Sequence, residues 1–182
     1  LLREADIYLL DEPMSNLDAQ LRETLRPELR KLILNREQPV IYVTHDQQEA
    51  MAMANRIAIL KNGKIIQIGT PKELYEKPNS AFVANFIGRP QINMLPIRNG
   101  KIRAIRPEHI FISKAGVKCK LIHKEWLGIS QLLFLDSEIG ELRMLCNSTI
   151  AISENFNISW DATNEHQFIA DTGERHIKFD SP

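Results

Sequence analysis

Ile7-Tyr8-Leu9-Leu10-Asp11-Glu12-Pro13 is the stretch on which the reading of the fold turns. Residues 7–10 form an apolar run of strand length, suited to burial on both faces of a parallel sheet. The run ends in two adjacent carboxylates. Open α/β sheets bind ligands beyond the carboxyl ends of their strands, and successive strand side chains point to opposite faces, so neighbouring acids serve different partners. Mg²⁺ keeps several waters and takes one or two protein carboxylates together with phosphate oxygens. Asp11 suits that role, and Glu12 suits a carboxylate that polarises water for attack on a γ-phosphate. Taken alone, the same residues also fit an ordinary exit from strand to loop.

Downstream, Ser15-Asn16-Leu17-Asp18 opens a helical pattern in which Leu17, Leu21, Leu25, Leu29, Leu32 and Ile33 line one face. Pro27 is expected to interrupt this 18–35 helix, at a cost of ~3 kcal/mol for a mid-helix proline. Residues 40–44 are β-branched and aromatic and read as a second buried strand, ending at His45. An imidazole there can donate to a γ-phosphate oxygen and help place the attacking water. A lone histidine at a strand end also fits a structural role; its separation from Asp11 by one strand–helix–strand unit favours the chemical one. Asp46 caps the next helix, with Glu49 read as closing a capping box over 47–55. Strand, helix, strand, helix in this order implies a right-handed parallel α/β sheet.

Two apolar runs around Asn62-Gly63 predict a hairpin. Thr70-Pro71-Lys72-Glu73 predicts a helix to about Glu76, and Ser80 a short helix over 81–87 stopped by Gly88. From Arg89 helical periodicity ends. Short strand candidates at 97–98, 101–105, 109–112, 117–123, 132–135, 141–146, 156–160 and 177–179 predict a small β-barrel or sandwich. The domain boundary is therefore expected near residues 88–96. Trp126 and Trp160, at strand spacing in this part, read as core rather than as stacking platforms.

The 182 residues carry 23 Lys+Arg and 23 Asp+Glu, with 43% hydrophobic residues, a globular composition with no net charge. No apolar run approaches the ~20 residues of a membrane-spanning helix. Two cysteines, Cys119 and Cys146, are too few for a disulfide scaffold or a cysteine zinc site. Residues 89–124 hold nine basic side chains and one acidic, whereas 125–182 hold three and ten. Mutual neutralisation on neighbouring strands explains this better than a nucleic-acid footprint, so no nucleic-acid partner is expected.

Leu9-Leu10-Asp11-Glu12-Pro13, Ser15-Asn16-Leu17-Asp18 and Tyr42-Val43-Thr44-His45-Asp46 resemble three ordered motifs of ATP-binding-cassette (ABC) ATPases. These are the Walker B strand with its catalytic glutamate, the D-loop and the switch-histidine loop. Gln48-Glu49-Ala50-Met51, Gln67-Ile68-Gly69-Thr70-Pro71 and Phe82-Val83-Ala84-Asn85-Phe86-Ile87-Gly88, continuing to Pro90 and Asn93, are similar to ATPase subunits of carbohydrate and glycerol-3-phosphate importers. Ile105-Arg106-Pro107-Glu108-His109 and the stretch from His166 to Asp171-Thr172-Gly173-Glu174-Arg175 resemble their C-terminal transport-associated OB-like (TOBE) domain.

The resemblance implies an α/β parallel-sheet fragment, the C-terminal half of the ATPase domain, over 1–88. A small all-β OB-like regulatory domain over 89–182 would follow. It implies ATP and Mg²⁺, with Asp11 supporting the metal, Glu12 as general base and His45 on the γ-phosphate. Asp18 would lie near the nucleotide, in the loop that crosses to a second ATPase subunit. Further implied partners are transmembrane permease subunits and, indirectly, a solute-binding protein. The place implied is the cytoplasmic side of the plasma (inner) membrane, held peripherally.

The sequence also departs from the family. It contains no G-x-x-x-x-G-K-[ST] loop to cradle phosphates, and none of its eight glycines are adjacent, so the Leu-Ser-Gly-Gly-Gln signature is missing. Both elements lie upstream in the family order. With Leu1 in place of a methionine, the chain is expected to be the C-terminal piece of a longer ATPase, inactive alone, or else a non-catalytic dimerisation or regulator-binding module. Residues 95–106 are shorter than their family counterpart, so an altered strand is expected there. A sheet cut in half exposes edges, and the chain is expected to fold poorly or associate when expressed alone.

Overall fold

The computed structural model describes residues 6–176 and divides the chain into two compact units, one ending at Glu73 and the other beginning at Leu74. This division lies upstream of the change in sequence texture at 88–96. The first unit mixes helix and strand, and the second is mainly antiparallel β.

In the first unit, β1 (Tyr8–Asp11) pairs parallel with β2 (Val40–Val43), Tyr8 lying opposite Val40 and Asp11 opposite Val43. The connection is α1 (Ala19–Leu34), followed after β2 by α2 (Gln47–Met53). A hairpin of β3 (Ile57–Lys61) and β4 (Lys64–Gly69) completes it. Asn62 and Gly63 both take positive φ, at 51° and 73°. A two-residue turn matching the right-handed twist of its strands requires that.

Two expectations fail here. β1 and β2 are not covered on both faces: Leu9 is 67% exposed and its neighbour Ile41 50%. The described elements cover one face only, which turns a run expected to be buried throughout into an alternation of half-buried and exposed residues. Nor does Pro27 break its helix, since α1 runs unbroken through it. Pro27 and Glu23 are exposed, so water can solvate the Glu23 carbonyl that loses its amide partner.

The second unit holds the last turn of α3 (Pro71–Glu76) and all of α4 (Ala81–Phe86). Strands β5 (Asn93–Arg98), β6 (Lys101–Ile105), β7 (Phe111–Ser113), β8 (Val117–Trp126), β9 (Ser130–Ser137), β10 (Leu142–Asn147), β11 (Asn155–Ser159) and β12 (His166–Ile169) follow. They form a five-stranded sheet, ordered β10-β9-β8-β11-β7, and a three-stranded sheet, ordered β12-β6-β5. Leu95, Ile105, Ile110, Leu133, Leu135, Met144 and Ile158 pack into its main core, beside a smaller cluster of Ala84, Ile92, Ala104 and Phe168. Most strand candidates fall on these strands. β12 carried no strand signal, because its four residues, His166-Gln167-Phe168-Ile169, put two polar residues before two apolar ones and do not alternate. The candidate at 177–179 lies outside the described residues. Trp126 is not core: it is 77% exposed near the tip of the β8–β9 hairpin.

Arg106, 1% exposed, joins helix to sheet within this unit. It donates to the carbonyls of Ala84 (3.2 Å) and Ile87 (2.5 Å) at the end of α4, and to the Tyr75 carbonyl (3.1 Å) at the end of α3. Its guanidinium lies 4.0 Å from the centroid of the Tyr75 ring, whose hydroxyl donates to Glu108. A helix end is the place for a cation, since its last carbonyls lack partners. Gly88 has φ +109°, and a Cβ there would fall 2.7 Å from the Arg106 guanidinium, so glycine is needed for conformation and for space.

Burial, and the positive charges of Arg106, Arg175 and His109, push the His166 imidazole down to about 4 from 6.5. The unfolded chain therefore binds the proton more readily than the folded one. Stability from this group is intact above pH 6.5 and is lost as pH falls from 6.5 towards 4. Both tryptophans lie in this unit, so urea denaturation followed by their fluorescence reports on it. Between pH 7 and 4.5 the wild type should lose about 1–2 kcal/mol more than His166→Gln, with part of the shift discounted for residual exposure. Equal losses would contradict the assignment.

Candidate functional site

At the carboxyl end of β1 the chain turns at Glu12, which takes φ +45°. Residues other than glycine rarely adopt this conformation and keep it only where the surroundings fix it. Here they do. The Glu12 amide donates to the Val43 carbonyl (2.9 Å), while the Glu12 carbonyl accepts from the Ser15 amide (3.1 Å) and hydroxyl (2.9 Å). The turn re-aims the side chain, and its Oε1 meets His45 Nδ1 at 2.9 Å.

His45 is exposed, and the bond to Glu12, then the charge of that carboxylate, raises its pKa above 6.5. A carboxylate accepts only, so Nδ1 carries the proton in this pair and Nε2 is left for a further partner. When doubly protonated, the ring offers an N–H to Glu12 and a second to any anion placed beyond it.

The loop carrying His45 is held from beneath. Thr44 Oγ1 accepts from the Asp46 amide (3.0 Å) and donates to Glu49 Oε2 (2.8 Å), which also accepts from the Tyr42 hydroxyl (3.1 Å). Asp46 caps α2, its Oδ1 accepting from the amides of Gln48 (2.7 Å) and Glu49 (3.4 Å). Its Oδ2 lies 3.6 Å from Arg22 of α1. The expected reciprocal capping box is therefore only half made. Glu49 turns into the protein, at 3% exposure, and the Thr44 hydroxyl takes the Asp46 amide instead. Sequence reasoning missed Tyr42, Thr44 and Glu49 as one network; the available signal was hydroxyls at 42 and 44 before an acid at 49.

Asp11 and Asp18 are exposed. Asp11 lies opposite Val43, two residues before His45. Among the described residues no three His, Cys, Asp or Glu side chains gather to hold a metal. A single exposed carboxylate such as Asp11 is the kind of protein ligand that Mg²⁺ takes when water and phosphate oxygens fill its other positions. Asp18 caps α1, its carboxylate accepting from the Leu21 amide at 2.9 Å. In the second unit, Arg103 pairs with Glu165 (3.2 Å) and Lys120 with Glu154 (3.4 Å), which supports mutual neutralisation of the basic and acidic stretches. No described helix is long and apolar enough to cross a membrane.

No protein-family model matches the sequence. The chain is 35% identical over 209 residues to the sn-glycerol-3-phosphate import ATP-binding protein UgpC of Bordetella avium, an overlap of 96% of this chain and 58% of that protein. It is 33% identical over 212 residues to the oligosaccharides import ATP-binding protein MsmX of Bacillus subtilis, covering 94% and 58%. Over 112 residues it is 49% identical to the maltose/maltodextrin import ATP-binding protein MalK of Yersinia pestis, covering 62% and 30%. The chain thus spans less than two thirds of the length of these curated relatives.

The pair defines its own test. A proton NMR titration should place the His45 midpoint above 6.5, and Glu12→Gln should return it towards 6.5. A midpoint indifferent to that substitution would mean that the two side chains do not meet in solution.

Proposed function

We propose that this chain belongs to the family of ATP-binding subunits of ABC importers and is the C-terminal portion of such a subunit. It energises import of a carbohydrate or glycerol-3-phosphate-like solute through ATP hydrolysis. Residues 1–88 are the C-terminal half of the ATPase domain, with a parallel-sheet core, and residues 89–182 are an OB-like TOBE domain. The observation that carries this reading is the Glu12–His45 pair at the ends of two adjacent parallel strands.

Glu12 is the general base. One carboxylate oxygen is engaged by His45 and the other is free to accept a proton from the attacking water. His45 fixes that carboxylate through Nδ1 and offers Nε2 to a γ-phosphate oxygen; its raised pKa keeps more of the ring doubly protonated near neutral pH. Asp11 would hold Mg²⁺, which supplies charge neutralisation at the phosphates. Asp18, at the start of α1, belongs to the loop facing a second ATPase subunit. The partners are that subunit and transmembrane permease subunits, with a solute-binding protein acting indirectly and no nucleic acid. The location is the cytoplasmic side of the plasma (inner) membrane, held peripherally.

A phosphate-binding loop is absent from these 182 residues, so the chain by itself should turn over negligible ATP. Fused behind the preceding portion of the Bordetella avium relative, it should give Mg²⁺-dependent ATP hydrolysis. That activity should fall at least ~100-fold in Glu12→Gln, the scale of a lost general base. Chimera turnover that survives Glu12→Gln contradicts the role of Glu12. Saturable turnover by the chain alone, lost in Glu12→Gln, contradicts its dependence on the missing loop.

A second reading has one observation in its favour. The β-rich unit has its own buried core, whereas α1 buries none of its residues. This suits a non-catalytic module for dimerisation or regulator binding. Sizing and pull-down of 89–182 decide it: a stable dimer or captured transport regulator favours the module, and an inert monomer removes it.

A further inference from the structure

The ring of His45 is exposed, and the hydrogen bond described for its side chain is the one to Glu12. Since packing does not hold the ring, its position depends on the backbone of residues 44–46. Beside the cap that Asp46 makes on α2, that backbone is anchored through one buried carboxylate. Glu49 Oε2 accepts from the Thr44 hydroxyl at 2.8 Å, and the same hydroxyl accepts from the Asp46 amide at 3.0 Å. The residues before and after His45 are thus tied to each other and to Glu49. The Tyr42 hydroxyl, donating at 3.1 Å, ties the preceding turn of strand to the same oxygen.

We infer that Glu49 is a positioning residue, which locks the 44–46 segment in the conformation that presents His45 to Glu12. The inference deepens the proposed function and rests on it for its catalytic meaning, but the geometry stands without a nucleotide.

The charges around Glu49 agree with this role. A carboxylate at 3% exposure is costly unless its oxygens are satisfied. Two hydroxyl donors meet that need here. Burial and Glu49 together raise the Tyr42 hydroxyl well above its ordinary value, so it remains a donor throughout the physiological range. Arg26 of α1 is near enough for its charge to act on Tyr42, and Arg22, one turn earlier, lies against Asp46. A helix-capping glutamate would face its own first turn; this one faces the strand that delivers the histidine. Nothing in a purely local stabilising role requires both of its donors, Tyr42 and Thr44, to come from the stretch that leads into His45.

The test uses the chain as it is, without ATP, and reads the His45 ring by nitrogen and proton NMR. Glu49→Gln keeps an acceptor oxygen and Thr44→Ser keeps the hydroxyl; both should leave the Nδ1 signal as in the wild type and the titration midpoint raised, lowered in Glu49→Gln only by loss of the small direct effect of that charge. Glu49→Ala and Thr44→Val should return the midpoint to about 6.5, the value of an unpaired histidine, while the amide signals of the 57–69 hairpin stay in place. Should Glu49→Ala fail to fold, the near-isosteric Thr44→Val against Thr44→Ser decides the matter. A His45 signature unchanged in Thr44→Val or in folded Glu49→Ala would overturn the inference. The failure is distinct from that of the proposed function, which is read as turnover in the chimera.

Discussion

A single backbone hydrogen bond, from the Glu12 amide to the Val43 carbonyl, sets the geometry on which the candidate site depends. It closes the last pair of the parallel ladder between β1 and β2, Asp11 opposite Val43. A one-residue slip would send every side chain beyond it to the opposite face. In this register the carboxylate of one strand end and the imidazole of the next reach each other at 2.9 Å across a sequence separation of 33 residues. The positive φ of Glu12, which a side-chain-bearing residue seldom tolerates, follows from the same bond and from the two that Ser15 gives to the Glu12 carbonyl.

Around this junction the chain places its polar groups with little redundancy. The carboxylate of Asp46 caps one helix and the carboxylate of Asp18 another. Glu49 is withdrawn from the helix start to serve the strand. In the β-rich unit a comparable economy surrounds Arg106, one cation that satisfies carbonyls at the ends of two short helices. Each such hydrogen bond involving an ionised group contributes about 1.5–3 kcal/mol. In both places a buried ionised side chain is tolerated because several partners converge on it.

Much of this was legible in the sequence. Asp11-Glu12-Pro13 after an apolar run, and His45 after a second, marked two strand ends. Asn62-Gly63 and Asn99-Gly100 marked hairpins because only a few residue types accept two successive positive φ angles. Thr70 and Glu73 marked a capping box that is made in full, with bonds of 2.8 and 3.2 Å. What escaped depended on partners distant in sequence or on the balance of burial. Glu49 offered the same local signal as Glu73, yet Tyr42 and Thr44 compete for its carboxylate. Trp126 has the composition of core and the position of a hairpin tip. Pro27 breaks the propensity rule, but on an exposed face where the freed carbonyl meets water. Apolar residues of β1 and β2 matched a doubly covered strand, although the described elements cover only one side.

The candidate site depends on the register at the end of β1. The most direct measurement is the through-hydrogen-bond coupling between the Glu12 amide nitrogen and the Val43 carbonyl carbon, together with hydrogen exchange at the Glu12 amide. A detectable coupling and a protected amide are predicted. An unprotected Glu12 amide exchanging at the rate of an open loop, with no coupling to Val43, would contradict the pairing and remove the basis for bringing Glu12 to His45.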